Sequence, residues 1–373
     1  MSTELLHDLD EVLLMGPGPS MVPESVLKAL ATPTLGHLDP QFIELMDEIQ
    51  SMLRDLFRAE SGLCLPLSGT GSAGMEATFV NLIEPGDRVL ILKNGVFGNR
   101  MEDVAGRLQA EVETLDYEWG TPVVPQDLRE KLASSAPYKI VAMVHAETST
   151  GVANPAEEVA EILRDNPALY LLDCVTSLGG MNVDVTEWGV DAAYSGTQKC
   201  LSCPPGLAPV FFSDKAVDAL RSRQSKVPNW YLDVTMLLSY WSGEKRVYHH
   251  TAPINMLYGL YAALDLVLTE GLDASFARHR AAHRQLVNGL DAIDLQMLVE
   301  EKSRLPMLNA VVVPEGIDEA ALRKRLRQEF LIEIGAGLGP LAGKIWRIGL
   351  MGHTANPENV DRVLEALEKS VSE

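Results

Sequence analysis

The sequence predicts an α/β protein: a large doubly wound, mainly parallel sheet followed by a small α+β C-terminal unit. Two observations carry this. From residue 60 to about 213, short apolar runs alternate with amphipathic stretches, and the runs are apolar on both faces, as in strands covered by helices on each side. Between 256 and 290 the period turns helical, and two more strand-like runs follow among helical stretches.

Taken in order, the first set of strands falls at Arg88–Leu92, Lys139–Val144, Leu169–Asp173, Asp191–Ser195 and Pro209–Phe212. Ligands of such a sheet gather at the carboxyl ends of its strands. The stretch 256–290 reads as long helices leading to the second unit. That unit offers strands at Leu308–Val313 and Lys344–Gly349, and helices around 318–330 and 357–370. The expected division is an N-terminal arm over 1–20, a large domain over 21–270 and a small domain over 271–373. A length of 373 residues, beyond what one core usually organises, agrees with two domains.

A net charge of −21 repels phosphate backbones and anionic membranes, so neither nucleic acid nor lipid is an expected partner. No apolar run approaches bilayer length. The acidic opening MSTELLHDLDEV lacks the basic and apolar regions of a targeting peptide, and SVSE is not a peroxisomal tripeptide, so a cytoplasmic setting is expected. Cys64, Cys174, Cys200 and Cys203 are expected to stay unpaired. Cys200 and Cys203 are spaced like half a zinc site, but no second pair accompanies them and Pro204-Pro205 follows, so no metal is expected.

Three segments could do chemistry. Ser68-Gly-Thr-Gly-Ser-Ala-Gly74 matches the glycine spacing of a dinucleotide loop. The next strand, however, ends in Lys93-Asn94-Gly95 rather than in the acidic residue a ribose requires. A phosphate cradle fits better, with small residues, two hydroxyls and a helix start near Gly71; a ligand-free helix start is the alternative. Asp173 closes a buried strand, where a bare carboxylate is costly unless a cation meets it. The protonated ring nitrogen of pyridoxal phosphate would serve, and a simple helix cap is the alternative. Lys199 follows the strand Asp191–Ser195 on a loop of small residues, with an apolar strand before it and Cys200-Leu201 after it. A lysine desolvated in this way has a lowered pKa and can form a Schiff base.

These residues sit in a longer pattern: Gly16-Pro-Gly-Pro19, Leu35-Gly-His37, SGTGSAGMEA (68–77), EPGD (84–87), NGVFGNR (94–100), HAETSTGV (145–152), LLDCVTSLGG (171–180), YSGTQKCLSCPPG (194–206), VYHHTAP (247–253), EIGAGLGPLAGKIWRIGLMG (333–352) and NVDRV (359–363). In these motifs and their order the chain resembles the class V aminotransferases, specifically the alanine/serine–glyoxylate group, over nearly its whole length. The resemblance implies the type I fold of pyridoxal-phosphate-dependent transferases and a homodimer with shared active sites. It implies amino transfer from alanine or serine to glyoxylate by a ping-pong route, with aspartate or ureidoglycine as alternative donors.

Position by position, the resemblance makes Lys199 the Schiff-base lysine, Gln198 its neighbour at the ring or phosphate, and Asp173 the partner of the ring nitrogen. Val175 would pack under the ring, and Phe97 over it where many members have tryptophan. Thr70, Gly71 and Ser72 would hold the phosphate, although some members carry histidine at the last of these. Ser149 would sit near the phenolic oxygen and the substrate. Tyr248 and Thr251 would reach a neighbour's phosphate, and Arg347 would clamp the substrate carboxylate with its bidentate fork. His37 lies where members differ in donor choice, and the ureidoglycine branch favours glutamine there.

His249 and His250 read as structural. His279 and His283 share a helix face flanked by Arg278, Arg280 and Arg284, which suggests a solvated face. A cysteine desulfurase of the same fold would need a mobile cysteine, and none occurs from 204 to 373. A cofactor-free or nicotinamide α/β protein is the remaining class.

Overall fold

The computed structural model describes residues 6, 8–242 and 246–372; of the N-terminal arm, residues 1–5 and 7 lie outside the described residues. The large sheet contains β1 (Leu63–Ser68), β2 (Arg88–Lys93), β3 (Glu111–Asp116), β4 (Ile140–Val144), β5 (Leu169–Asp173), β6 (Ala192–Tyr194) and β7 (Leu207–Phe212). Their spatial order is β1-β7-β6-β5-β4-β2-β3. β4 to β7 are buried along their whole length, as their two-sided apolar sequences require.

The pairings among β3, β2, β4, β5 and β6 are parallel, whereas β7 runs antiparallel to both β6 and β1. The connection explains the reversal. Parallel neighbours need a crossover helix, and residues 195–206 contain none, so the chain turns back beside β6. β1 and β3 were not expected as strands. β1 carries Pro66, and β3 is a half-exposed edge with the polar sequence EVETLD.

The C-terminal sheet has β8 (Leu308–Val312), β9 (Gly335–Ala336) and, between them, β10 (Ile345–Gly349), all antiparallel. The helices Leu272–Ala292, Glu319–Glu329 and Pro357–Val371 supply Leu286, Leu290, Leu326, Val360 and Val363 to its core. This core is distinct from the one around the large sheet, which extends along the chain to Val267. We propose the division of the two units at residue 270, next to Gly271, which separates two long helices with a positive φ of 87°.

The arm joins the second core, not the first. Leu13–Leu14 pairs in parallel with Ile332–Glu333, and Met15 is fully buried. Among the described residues, no helix is long and apolar enough to cross a membrane.

Candidate active site

A cavity opens at the carboxyl ends of β4, β5 and β6, walled by the loops that follow them and by the start of the helix Gly71–Leu82. Thr70, Gly71, Ser72, Phe97, Asp173, Val175, Gln198 and Lys199, expected from the sequence, all line it. So do Arg100, Thr148 and Tyr194, which the sequence reading did not select.

Asp173 is the last residue of β5 and only 3% exposed. Burial pushes its carboxyl up to about 6, against the pull of two bonds that favour the charge. One oxygen accepts from the Val175 amide at 2.8 Å and the other from the Tyr194 hydroxyl at 2.8 Å. Lys199 follows the neighbouring β6 and is 9% exposed. Its ammonium donates to the Pro17 carbonyl, and burial lowers its pKa to about 8. Gly18 lies so close that a Cβ there would fall 2.6 Å from Lys199 Nζ, with φ at 107°, so only glycine fits.

The helix Gly71–Leu82 begins at Thr70, whose side chain makes no capping bond. Among the described residues, nothing accepts from the Gly71 and Ser72 amides, as expected at a helix start with an open anion site. Gln198 Oε1 is buried without a partner.

Arg347 lies in the central strand β10, 7% exposed. Its Nε donates to the Ala336 carbonyl at 2.6 Å and Nη1 to the Thr148 carbonyl at 3.1 Å, leaving Nη2 without a bond among the described residues. Burial lowers its pKa to about 10, while Glu147 pulls the other way. Glu147 is a buried carboxyl that sequence reasoning missed. Unlike Asp173, it does not close its strand: the apolar run ends at Val144, and His145 and Ala146 come between.

Ser149 does not line the cavity; it is fully buried and its hydroxyl donates to Glu147. Tyr248 and Thr251 also lie outside the lining. They sit together, 3.3 Å between hydroxyls, and Tyr248 is 54% exposed. His37 joins them, its ring 5.0 Å from that of Tyr248. His249 stacks on Trp230 and bonds His250, whose Nε2 reaches Ser68 Oγ at 2.7 Å, just before the cradle. The expectation of a solvated face for His279 is corrected. It is fully buried, with Nδ1 on the Ser275 carbonyl at 2.7 Å and Nε2 accepting from the Gly352 amide at 2.9 Å. The helix leaves Arg280 and Arg284 exposed, points Arg278 at the Gly352 and Ala355 carbonyls, and lays His279 against the Gly352 turn. His283 is half-buried and bonds Asn309 at 2.6 Å.

Comparisons with known proteins bear on the family and the fold. The family profile described as aminotransferase class-V matches residues 12–363. The (S)-ureidoglycine–glyoxylate transaminase of Bacillus subtilis (strain 168) is 40% identical, covering 95% of this chain and 89% of that protein. The alanine–glyoxylate aminotransferase of Callithrix jacchus is 39% identical, covering 96% and 87%. The crystal structure of alanine–glyoxylate aminotransferase from Nostoc sp. superimposes with a TM-score of 0.95 at 48% identity, covering 98% of this chain and 96% of that one.

Proposed function

Since the chain belongs to the class-V aminotransferases, we propose that it moves the amino group of a small L-amino acid, alanine or serine, to glyoxylate with pyridoxal phosphate as cofactor. The observation that carries this is the pairing of two buried ionisable groups, Lys199 and Asp173, on adjacent strand ends in one cavity.

The residues present fit that cofactor. The uncommitted amides of Gly71 and Ser72 and the Thr70 hydroxyl would take its phosphate, and Gln198, which lines the same cavity, would donate from its side-chain NH2 at the ring or phosphate. Phe97 and Val175 would flank the ring, and Asp173 would hold the proton of its nitrogen. When bound, pyridoxal phosphate supplies an electron-withdrawing ring that makes the Cα–H bond of an amino acid acidic. Lys199 would anchor it through Nζ and, once freed by substrate, carry the proton from Cα. Burial favours the neutral amine this requires. Arg347 would bind the substrate carboxylate through its free Nη2 and orient the Cα–H bond. Ser149 would act on the substrate side only through Glu147, and His37 through its place beside Tyr248.

Tyr248 and Thr251, exposed and outside the lining of their own cavity, would complete the phosphate site of a second copy. The active unit is therefore expected to be a symmetric homodimer. Sedimentation of the active enzyme tests this, and a fully active monomer would overturn it.

The substrate assignment is tested with alanine, serine, aspartate and ureidoglycine as donors and two acceptors. Arg347 lies outside the cavity lining and reaches it through the carbonyl of Thr148, which does line it, so it is a buried guanidinium at the edge of the site. Arg100 lines the cavity but is exposed, over the Phe97 ring at 5.0 Å, where an ion pair contributes about 1 kcal/mol or less. A second carboxylate would thus go poorly matched. We expect kcat/KM for glyoxylate to exceed that for 2-oxoglutarate by about a hundredfold, or ~2.7 kcal/mol. Equal efficiencies would show a second cationic group at the site, Arg100 or one from the second copy.

A further inference from the structure

Glu147 is fully buried, yet among the described residues it makes no ion pair. Its bonds come from the Ser149 amide at 3.1 Å, the Ser149 hydroxyl, and the Phe97 amide at 3.2 Å. The Ser149 oxygen in turn accepts from the Val96 amide at 3.0 Å. The first two amides of the helix Val96–Arg107 thus end on a carboxyl and hydroxyl supplied by another loop, which takes the place of a local cap. Gly95 makes this approach possible, since a Cβ there would lie 2.3 Å from the Glu147 carboxyl carbon. One residue further on, the Thr148 carbonyl receives Arg347 Nη1. The turn 147–149 therefore holds the helix bearing Phe97 with one residue and the guanidinium of Arg347 with the next.

On the reading given above, we propose that Glu147 is a positioning residue: its carboxylate keeps the Phe97 wall and the Arg347 clamp in register, and its charge weakens that clamp's hold on a carboxylate. Burial raises its pKa to about 7, so it exchanges between neutral and charged near neutrality. The sign follows from Coulomb's law. Below this value Glu147 is neutral and the Arg347 charge acts on the substrate undiminished; above it, the new negative charge opposes the substrate's. The other charged or titratable groups around it are Asp173, Lys199, Arg347, Arg100, His145 and Tyr194. A Glu147→Gln substitution leaves all six in place.

The test is calorimetric titration of the pyridoxal-phosphate-loaded enzyme with propionate, an unreactive monocarboxylate, from pH 6 to 8.5. The native Kd is expected to rise about three- to tenfold across this range, the equivalent of half to one pKa unit of coupling. In E147Q the rise should shrink at least threefold, any residue belonging to Asp173 and Lys199. An E147Q slope equal to the native one would overturn the proposal. A flat native titration would overturn it too, and that arm stands even if the variant fails to fold. Since propionate needs only the guanidinium, failure to retain pyridoxal phosphate would count against the proposed function, not against this coupling.

Discussion

Lys199→Ala is expected to lower kcat by at least about a thousandfold, some 4 kcal/mol, in a protein that still folds. The lysine serves twice in the proposed reaction, as covalent anchor and as the base at Cα, so no single neighbour can replace it. Asp173 is near enough to interact electrostatically, but it is committed to the Val175 amide and the Tyr194 hydroxyl. Folding should survive, because the ammonium's one hydrogen bond among the described residues goes to the Pro17 carbonyl, and removing a desolvated charge relieves as much as it costs. The measurement is amino transfer in stopped time points beside a circular dichroism spectrum. Retention of a tenth of the native rate, with the native fold, would sink the role.

The second large effect is expected at Arg347. Truncation to alanine removes a charge-assisted contact of about 1.5–3 kcal/mol, which predicts a loss in kcat/KM of about ten- to a hundredfold or more. Most of it should appear in KM, with the cofactor still bound, because the residue lies outside the set proposed to hold pyridoxal phosphate. Lysine should restore only part of the loss. The guanidinium spans from the Ala336 carbonyl to the Thr148 carbonyl while keeping Nη2 for the substrate, and one ammonium cannot reach all three. Native kinetics in Arg347→Ala would remove it from the substrate site.

Asp173 and Lys199 were legible in the sequence because each is a charge set at the end of an apolar run, a contradiction that only a partner or a cavity resolves. Glu147 escaped because His145 and Ala146 separate it from its strand and make it look like part of a loop. Arg347 sits inside a strand, and only the resemblance singled it out. The edge strand β3 was missed because a strand at the rim is covered on one side and keeps polar residues. His279 was misjudged from its arginine neighbours, although Ser275, His279, Ala282 and Leu286 recur at helical spacing and are all buried. Chain direction at β7 was not visible in composition, since it depends on the absence of a helix in the preceding connection.

The arm over Lys199 also bears on how the protein is made. Its Leu14 carbonyl accepts from Thr354, 340 residues further along the chain, and its strand pairs with Ile332–Glu333. At a ribosomal pace of about 5–20 residues per second, the arm waits about 20–70 s for its partners to emerge. Through that interval Leu13 and Met15 have no core to enter, and Lys199 lacks its Pro17 carbonyl. The nascent chain thus holds a sheet able to fold early and a lysine whose surroundings close last. Lesions near residue 14 and near residue 332, far apart in the chain but paired in the fold, should leave the same lysine open to water.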